Sequence, residues 1–228
     1  MTNPFLSTPD LRAPEDESAL ERSEPTPTPP RPFRLTPKEQ VRFERALAGI
    51  DAANSADPNW IAVGDRERPK ELAMAERVSE WVLKLRPNAS LELRLAARAH
   101  HIRRWAIPRS SFPSGAAGYH RWRTRLQHFH AEQTGILLAG EGYAEDTILR
   151  VQALIRKIGL GWDVETQALE DALCLTFIEL QLEDLAARIP EQKLAGILRQ
   201  TLDKMSERAV TWIDSLEISE RARSLLSG

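Results

Sequence analysis

The segment ETQALEDALCLTFIELQLEDLAARI, Glu165 to Ile189, is apolar on almost every side when wound at about 100° per residue. A helix without a polar face has to be wrapped by others, so this one predicts the centre of a helical bundle. Its acids then become the informative residues. Asp171 shares a stripe with Gln167, Cys174 and Ile178, which turns its carboxylate into packed surroundings, where an unpaired charge is costly. A metal, an imidazole or an arginine would each answer it, and a purely structural ion pair is the plain alternative. Glu170 lies beside it, while Glu179 and Glu183 read as a solvated edge.

The remaining pattern is also helical. Thr36, Pro37 and Glu39 form an N-terminal capping signal ahead of Val41, Ala46, Leu47 and Ile50 at helical spacing. Helices are expected over 37–53, 69–85 (with Leu72, Ala75, Val78 and Val82 inward), 90–105, 119–132, 145–158, 164–188 and 190–205. No strand pattern stands out, so the fold class is all-α, one helical bundle over 34–228. Residues 1 to about 33, with the run EPTPTPPRPF, read as a disordered tail because acids, prolines and small polar residues build no core.

The net charge of −2 and 42% hydrophobic content are those of a water-soluble protein and argue against general nucleic-acid binding. A single cysteine, Cys174, excludes an internal disulfide framework and fits a reducing compartment, so a cytoplasmic location is expected. No apolar run approaches the length of a membrane span.

Charge is nevertheless segregated. All five histidines fall between His100 and His130, inside a 39-residue window from Leu93 to Ala131 that holds eight arginines and no acid. Imidazoles that titrate near neutrality in a cationic field suit an anionic ligand such as phosphate or carboxylate, although a solvated basic helix pair would give the same composition. The third helix is expected to present Arg94, Arg98, His101 and Trp105 together; the fourth presents His120, Arg123, Gln127 and His130 beside Trp122, Leu126 and Phe129. The intervening loop IPRSSFPSGAAG adds Arg109. Arginine suits planar recognition of phosphate, and Trp105 or Trp122 is placed to stack on a ring or to anchor the core.

The strings AARAHHIRRWAIPRSSFP, GYHRWR, FHA, QALEDALCL and LRQTLDKMS, in that order, resemble the bacterial and fungal proteins grouped as domain-of-unknown-function family 4202, over roughly residues 36 to 215. The resemblance makes His101, Arg104, Trp105, Arg109, Pro113, Tyr119, Trp122, Arg123, His130, Lys157, Glu170 and Asp171 this chain's motif positions, and implies no particular reaction. Phe112 stands where the family pattern leads one to expect a tyrosine. The helix order also looks like the HD superfamily of metal-dependent phosphohydrolases, with His100 in the histidine place, His101 replacing the aspartate and Asp171 as the late ligand. The chain departs from that pattern in having no histidine before His100.

Three functions follow as expectations. The first is a phosphohydrolase acting on a phosphorylated or nucleotide-like small molecule. In it His101, His130 and Asp171 are catalytic, and Arg98, Arg104, Trp105, Arg109, Tyr119, Trp122, Arg123 and Lys157 bind the ligand. One divalent metal would sit on His100, His101, His120 and Asp171. The second is a non-catalytic sensor of an anionic metabolite using the same pocket. The third is an RNA-associated helical protein, supported by the basic window alone. Only the first needs a working acid–base pair.

Overall fold

Thr36 opens the first helix as a capping box: its hydroxyl accepts from the Glu39 backbone N–H while the Glu39 carboxylate accepts from the Thr36 N–H at 2.8 Å. In the computed structural model, which describes residues 34–227, that helix is α1 (Pro37–Ser55). The expected disordered tail, 1 to about 33, lies outside the described residues. The chain continues through β1 (Trp60–Val63), β2 (Arg66–Pro69), α2 (Lys70–Leu85), α3 (Leu91–Ala99), α4 (Gly115–Gly140), α5 (Glu145–Ile155) and α6 (Val164–Leu180). Short helices α7 (Leu182–Ala186), α8 (Glu191–Leu202), α9 (Glu207–Val210) and α10 (Glu220–Ser227) close it.

The all-α expectation holds, with α6 at the centre. Ala168, Leu169, Ala172, Leu175 and Ile178 are all buried, and α6 packs on α2 and α3, while α5 lies against α3 and α4. Removing each large apolar side chain in this core from water contributes about 1.5–3 kcal/mol. The long sixth helix breaks at Gln181, and Glu179 is no solvated edge: it accepts from Arg77 Nε at 2.6 Å and from Trp81 Nε1 at 2.9 Å. Glu183 is exposed. No helix among the described residues is long and apolar enough to cross a membrane.

Two local departures matter. The antiparallel hairpin pairing Trp60 with Pro69 was not expected; its two-residue turn is Gly64–Asp65, where Gly64 has φ +61°, the backbone a two-residue hairpin needs at its first central position. The hairpin delivers the chain into α2, whose first turn is fixed by Asp57 accepting from the Glu71 N–H at 2.9 Å. The second departure is α3, which stops at Ala99 rather than Trp105. There the His100 ring takes the Ala97 carbonyl, the next turn tightens, and Arg103 enters the left-handed region at φ 53° with its N–H on the Asn54 side chain of α1. The histidine pair therefore sits in a turn, and the expected shared stripe of Arg94, Arg98, His101 and Trp105 does not form. After two tight turns the chain returns at Gly118, where a Cβ would lie 1.9 Å from the Pro113 carbonyl oxygen, so only glycine lets the loop close on α4.

Candidate functional site

Three histidine rings gather, tilted against one another, at the junction of α3, its following turn and α4. His100 and His101 have ring centres 4.2 Å apart, and His101 and His130 are 5.5 Å apart. His130 belongs to the buried half of α4, whose register carries the polar stripe from exposed His120 into the core. The Nδ1 atoms of His100 and His130 lie 2.8 Å from the carbonyl oxygens of Ala97 and Ile102. A carbonyl only accepts, so both Nδ1 atoms carry the proton and both Nε2 atoms are bare acceptors. Each Nε2 is buried without a hydrogen-bond partner. Burial pushes both rings down to about 3, with Lys157 and Arg104 adding repulsion at His100 and Arg104 at His130. Burial and the neighbouring imidazoles and cations likewise hold His101 well below its ordinary value.

Glu71, from the first turn of α2, is the residue that sequence reasoning missed. Its Oε2 is 3.4 Å from His101 Nδ1 and its Oε1 is 3.8 Å from Arg104 Nε. Burial raises its carboxyl to about 7 against the pull of Arg104, and its Oε2 has no hydrogen-bond partner. A signal existed: residues 71, 75, 78 and 82 form the inward stripe of α2, so Glu71 is an acid at a core position. The cluster is open on one side, where the His101 and Arg104 side chains are 30% and 28% exposed, and closed at Glu71, 6% exposed.

The cations are shared out unequally. Arg104 lies over the Trp122 ring at 4.9 Å, and Trp122 donates its indole N–H to the Ile107 carbonyl, so this tryptophan props the arginine. Arg123 lies near the Tyr119 ring at 5.9 Å. Lys157, itself at φ 59°, enters from the end of α5 and pairs with buried Glu170. Three expected ligand binders are placed otherwise. Arg98 makes a two-pronged pair with Asp51 at 2.5 and 2.7 Å, Arg109 is spent on the carbonyls of Phe112, Pro113 and Gly115, and Trp105 is half-buried in the turn.

Asp171 is turned to a different task. It accepts from Gln167 Nε2 at 2.9 Å, from the Ser206 N–H at 2.8 Å and from the Ser206 hydroxyl at 2.6 Å, and so fastens the entry of α9 to α6. Its expected answer by metal, imidazole or arginine is replaced by these donors, and the acid of α6 that reaches the site is Glu170, through Lys157. Asp171→Asn is expected to cost about 1.5–3 kcal/mol, from lost charge-assisted hydrogen bonds. Calorimetric melting should show that loss while the His100 and His130 imidazole NMR resonances stay in place.

The metal ligands expected from sequence do not fit one ion. His100 and His101 adjoin, but His120 is exposed on α4 and Asp171 is bound to Ser206. Among the described residues no three His, Cys, Asp or Glu side chains gather as a metal-holding group. Cys174 is buried, with its thiol pushed up to about 12 by burial and by Glu170, so it is no nucleophile.

No curated protein and no solved structure matches the chain. A family model described as a domain of unknown function (DUF4202) matches residues 44–226, which takes in every residue of the cluster from Glu71 to Glu170. The chain therefore belongs to the DUF4202 family.

Proposed function

We propose that the imidazole cluster binds a small phosphorylated or nucleotide-like anion and acts on it by general acid–base chemistry of the phosphohydrolase type. The observation that carries this reading is the pair of buried, unpartnered Nε2 acceptors beside a carboxyl poised near neutrality. Buried polar atoms without partners cost about 1–3 kcal/mol each, and a ligand with hydroxyl or N–H donors would satisfy both. Charge selects the rest of the ligand. The imidazoles are neutral, Arg104, Arg123 and Lys157 are cationic with Lys70 beside Glu71, and Glu170, buried Asp57 and a half-ionised Glu71 oppose them. The surplus is positive, so the ligand is anionic, with Arg104 and Lys157 placed for phosphoryl oxygens.

The His101–Glu71 pair supplies the proton path. A water attacking phosphorus gives its proton to His101 Nε2 while Nδ1–H passes to the Glu71 carboxylate, so the imidazole stays neutral throughout. As the P–O bond to the leaving group breaks, the same pair run in reverse returns the proton to the departing oxygen, which leaves as an alcohol. The 3.4 Å separation is long for a hydrogen bond and has to tighten around the bound ligand.

Phosphomonoesters and nucleotides followed by phosphorus NMR test this. Turnover should rise with pH through about 7, as Glu71 ionises. Glu71→Gln and His101→Gln should each lose about a hundredfold or more in kcat, at the low end of what acid–base groups contribute. Phosphate binding without turnover would instead make the protein a sensor of an anionic metabolite. Wild-type phosphate affinity in Arg104→Met and Lys157→Met would remove the cluster as the anion site.

A further inference from the structure

We propose that the cleft between the C-terminal end of α2, the 159–163 turn, α6 and the entry to α9 is a second binding site, for a small molecule carrying an anionic group on a flat aromatic body. The cleft has a volume of about 310 Å³, and none of the histidine-cluster residues lines it. That volume is at the lower end of the range for small-molecule sites.

The guanidinium of Arg86 is the first argument. It lines the cleft just past the last residue of α2, and its Nε is removed from water with no hydrogen-bond partner. An Nε–H removed from water without an acceptor is costly, and a carboxylate or phosphate taken by this partly buried guanidinium would offer it one. Arg208, exposed on α9, adds a second positive charge. The two carboxylates on the wall are already occupied. Asp163 accepts from both terminal nitrogens of Arg150 and caps α6 through the Glu165 and Thr166 N–H groups; Asp171 holds Gln167 and Ser206. Neither wall acid is hydrogen-bonded to the cleft's arginines.

Trp162 is the second argument. Its side chain lines the same cleft yet is 79% exposed, a large aromatic surface left to water. The ring is held in place by its turn. Gly159 and Gly161 have φ +89° and +93°, and a Cβ on Gly159 would come within 3.0 Å of the indole, so the ring lies directly on the glycine backbone. With Leu85, Val164 and Ala168 also lining the cleft, a flat ring would stack on Trp162 and direct its anionic group toward Arg86.

The test is titration of the full chain with AMP and, separately, salicylate, following the Trp162 indole N–H resonance by NMR, assigned through its loss in Trp162→Phe. Ribose 5-phosphate and adenosine, each lacking one half of the proposed ligand, serve as controls. At least one of the two aromatic anions should move the resonance saturably, AMP alone indicating a nucleotide source and salicylate alone a carboxylate source, and both controls should bind at least about tenfold more weakly. Arg86→Met should weaken binding about tenfold or more, Arg86→Lys less, and Trp162→Ala about tenfold. His101→Gln should leave this titration unchanged, which separates its outcome from that of the histidine cluster. No shift with either probe, equal binding in Arg86→Met with its spectrum otherwise intact, or a resonance that moves only with protein concentration, as for self-association through Trp162, would overturn the proposal.

Discussion

Acidification from pH 6.5 to 5 is expected to remove about 2–3 kcal/mol of stability, well before most carboxylates titrate. His100 and His130 take up protons near 6.5 when unfolded but only near 3 when folded, because burial and nearby cations disfavour imidazolium. Their contribution is complete above pH 6.5 and is lost as the pH falls toward 3. Glu71 works in the other direction: its folded value of about 7 exceeds the ordinary 4.5, so the native state gains from its protonation over the same interval. With His101 lowered as well, two to three imidazoles oppose one carboxyl, a net excess of one to two protons on the unfolded chain, worth about 1.4 kcal/mol per pH unit for each proton. Urea unfolding at a series of pH values measures the slope. His130→Gln should flatten it by about one proton. A stability that holds level or rises between pH 6.5 and 5 would show that these rings are charged in the folded protein, and the neutral acceptors invoked for the site would go with it.

How much of this was legible differs from residue to residue. The central helix was, because an all-round apolar pattern has one structural solution. Its 100° geometry could not rank Glu170 against Asp171, since α6 has partners on every side and both neighbours point into protein. The basic window pointed at His100, His101, His130 and Arg104 because residue type alone marks a cationic imidazole cluster. It could not show that α3 ends before them, which depends on Asn54, 49 residues away, receiving the Arg103 N–H. Glu71 lies outside that window, and its place emerges only when the reasoning applied to Asp171, an acid on an inward stripe, is applied to α2. Arg98 and Arg109 had the right chemistry, but their partners, Asp51 and the carbonyls of a folded loop, become visible only in three dimensions.

Lys157→Met is expected to cost about 3–5 kcal/mol, the penalty for leaving one member of a buried ion pair alone. Glu170 has a side chain only 4% exposed and sits on the central helix, so its carboxylate depends on the ammonium for its charge partner. Methionine matches the length of the lysine stem and inherits the same left-handed backbone at φ 59°, so the difference reports the charge rather than the turn. Adding Glu170→Gln should restore stability to within about 1–2 kcal/mol of wild type, since a buried amide costs far less than a buried carboxylate. Anion affinity should behave differently. The double variant still lacks the ammonium, so phosphate binding at the histidine cluster stays weak although the fold has recovered. The cation also lowers the His100 and His101 values, so both imidazoles should titrate at higher pH in the double variant. Thermal melting, phosphate titration and imidazole NMR on the two variants read these effects separately. A single variant that loses less than about 1 kcal/mol would mean that Glu170 is held by something other than Lys157. A double variant with wild-type phosphate affinity would assign Lys157 to the core alone.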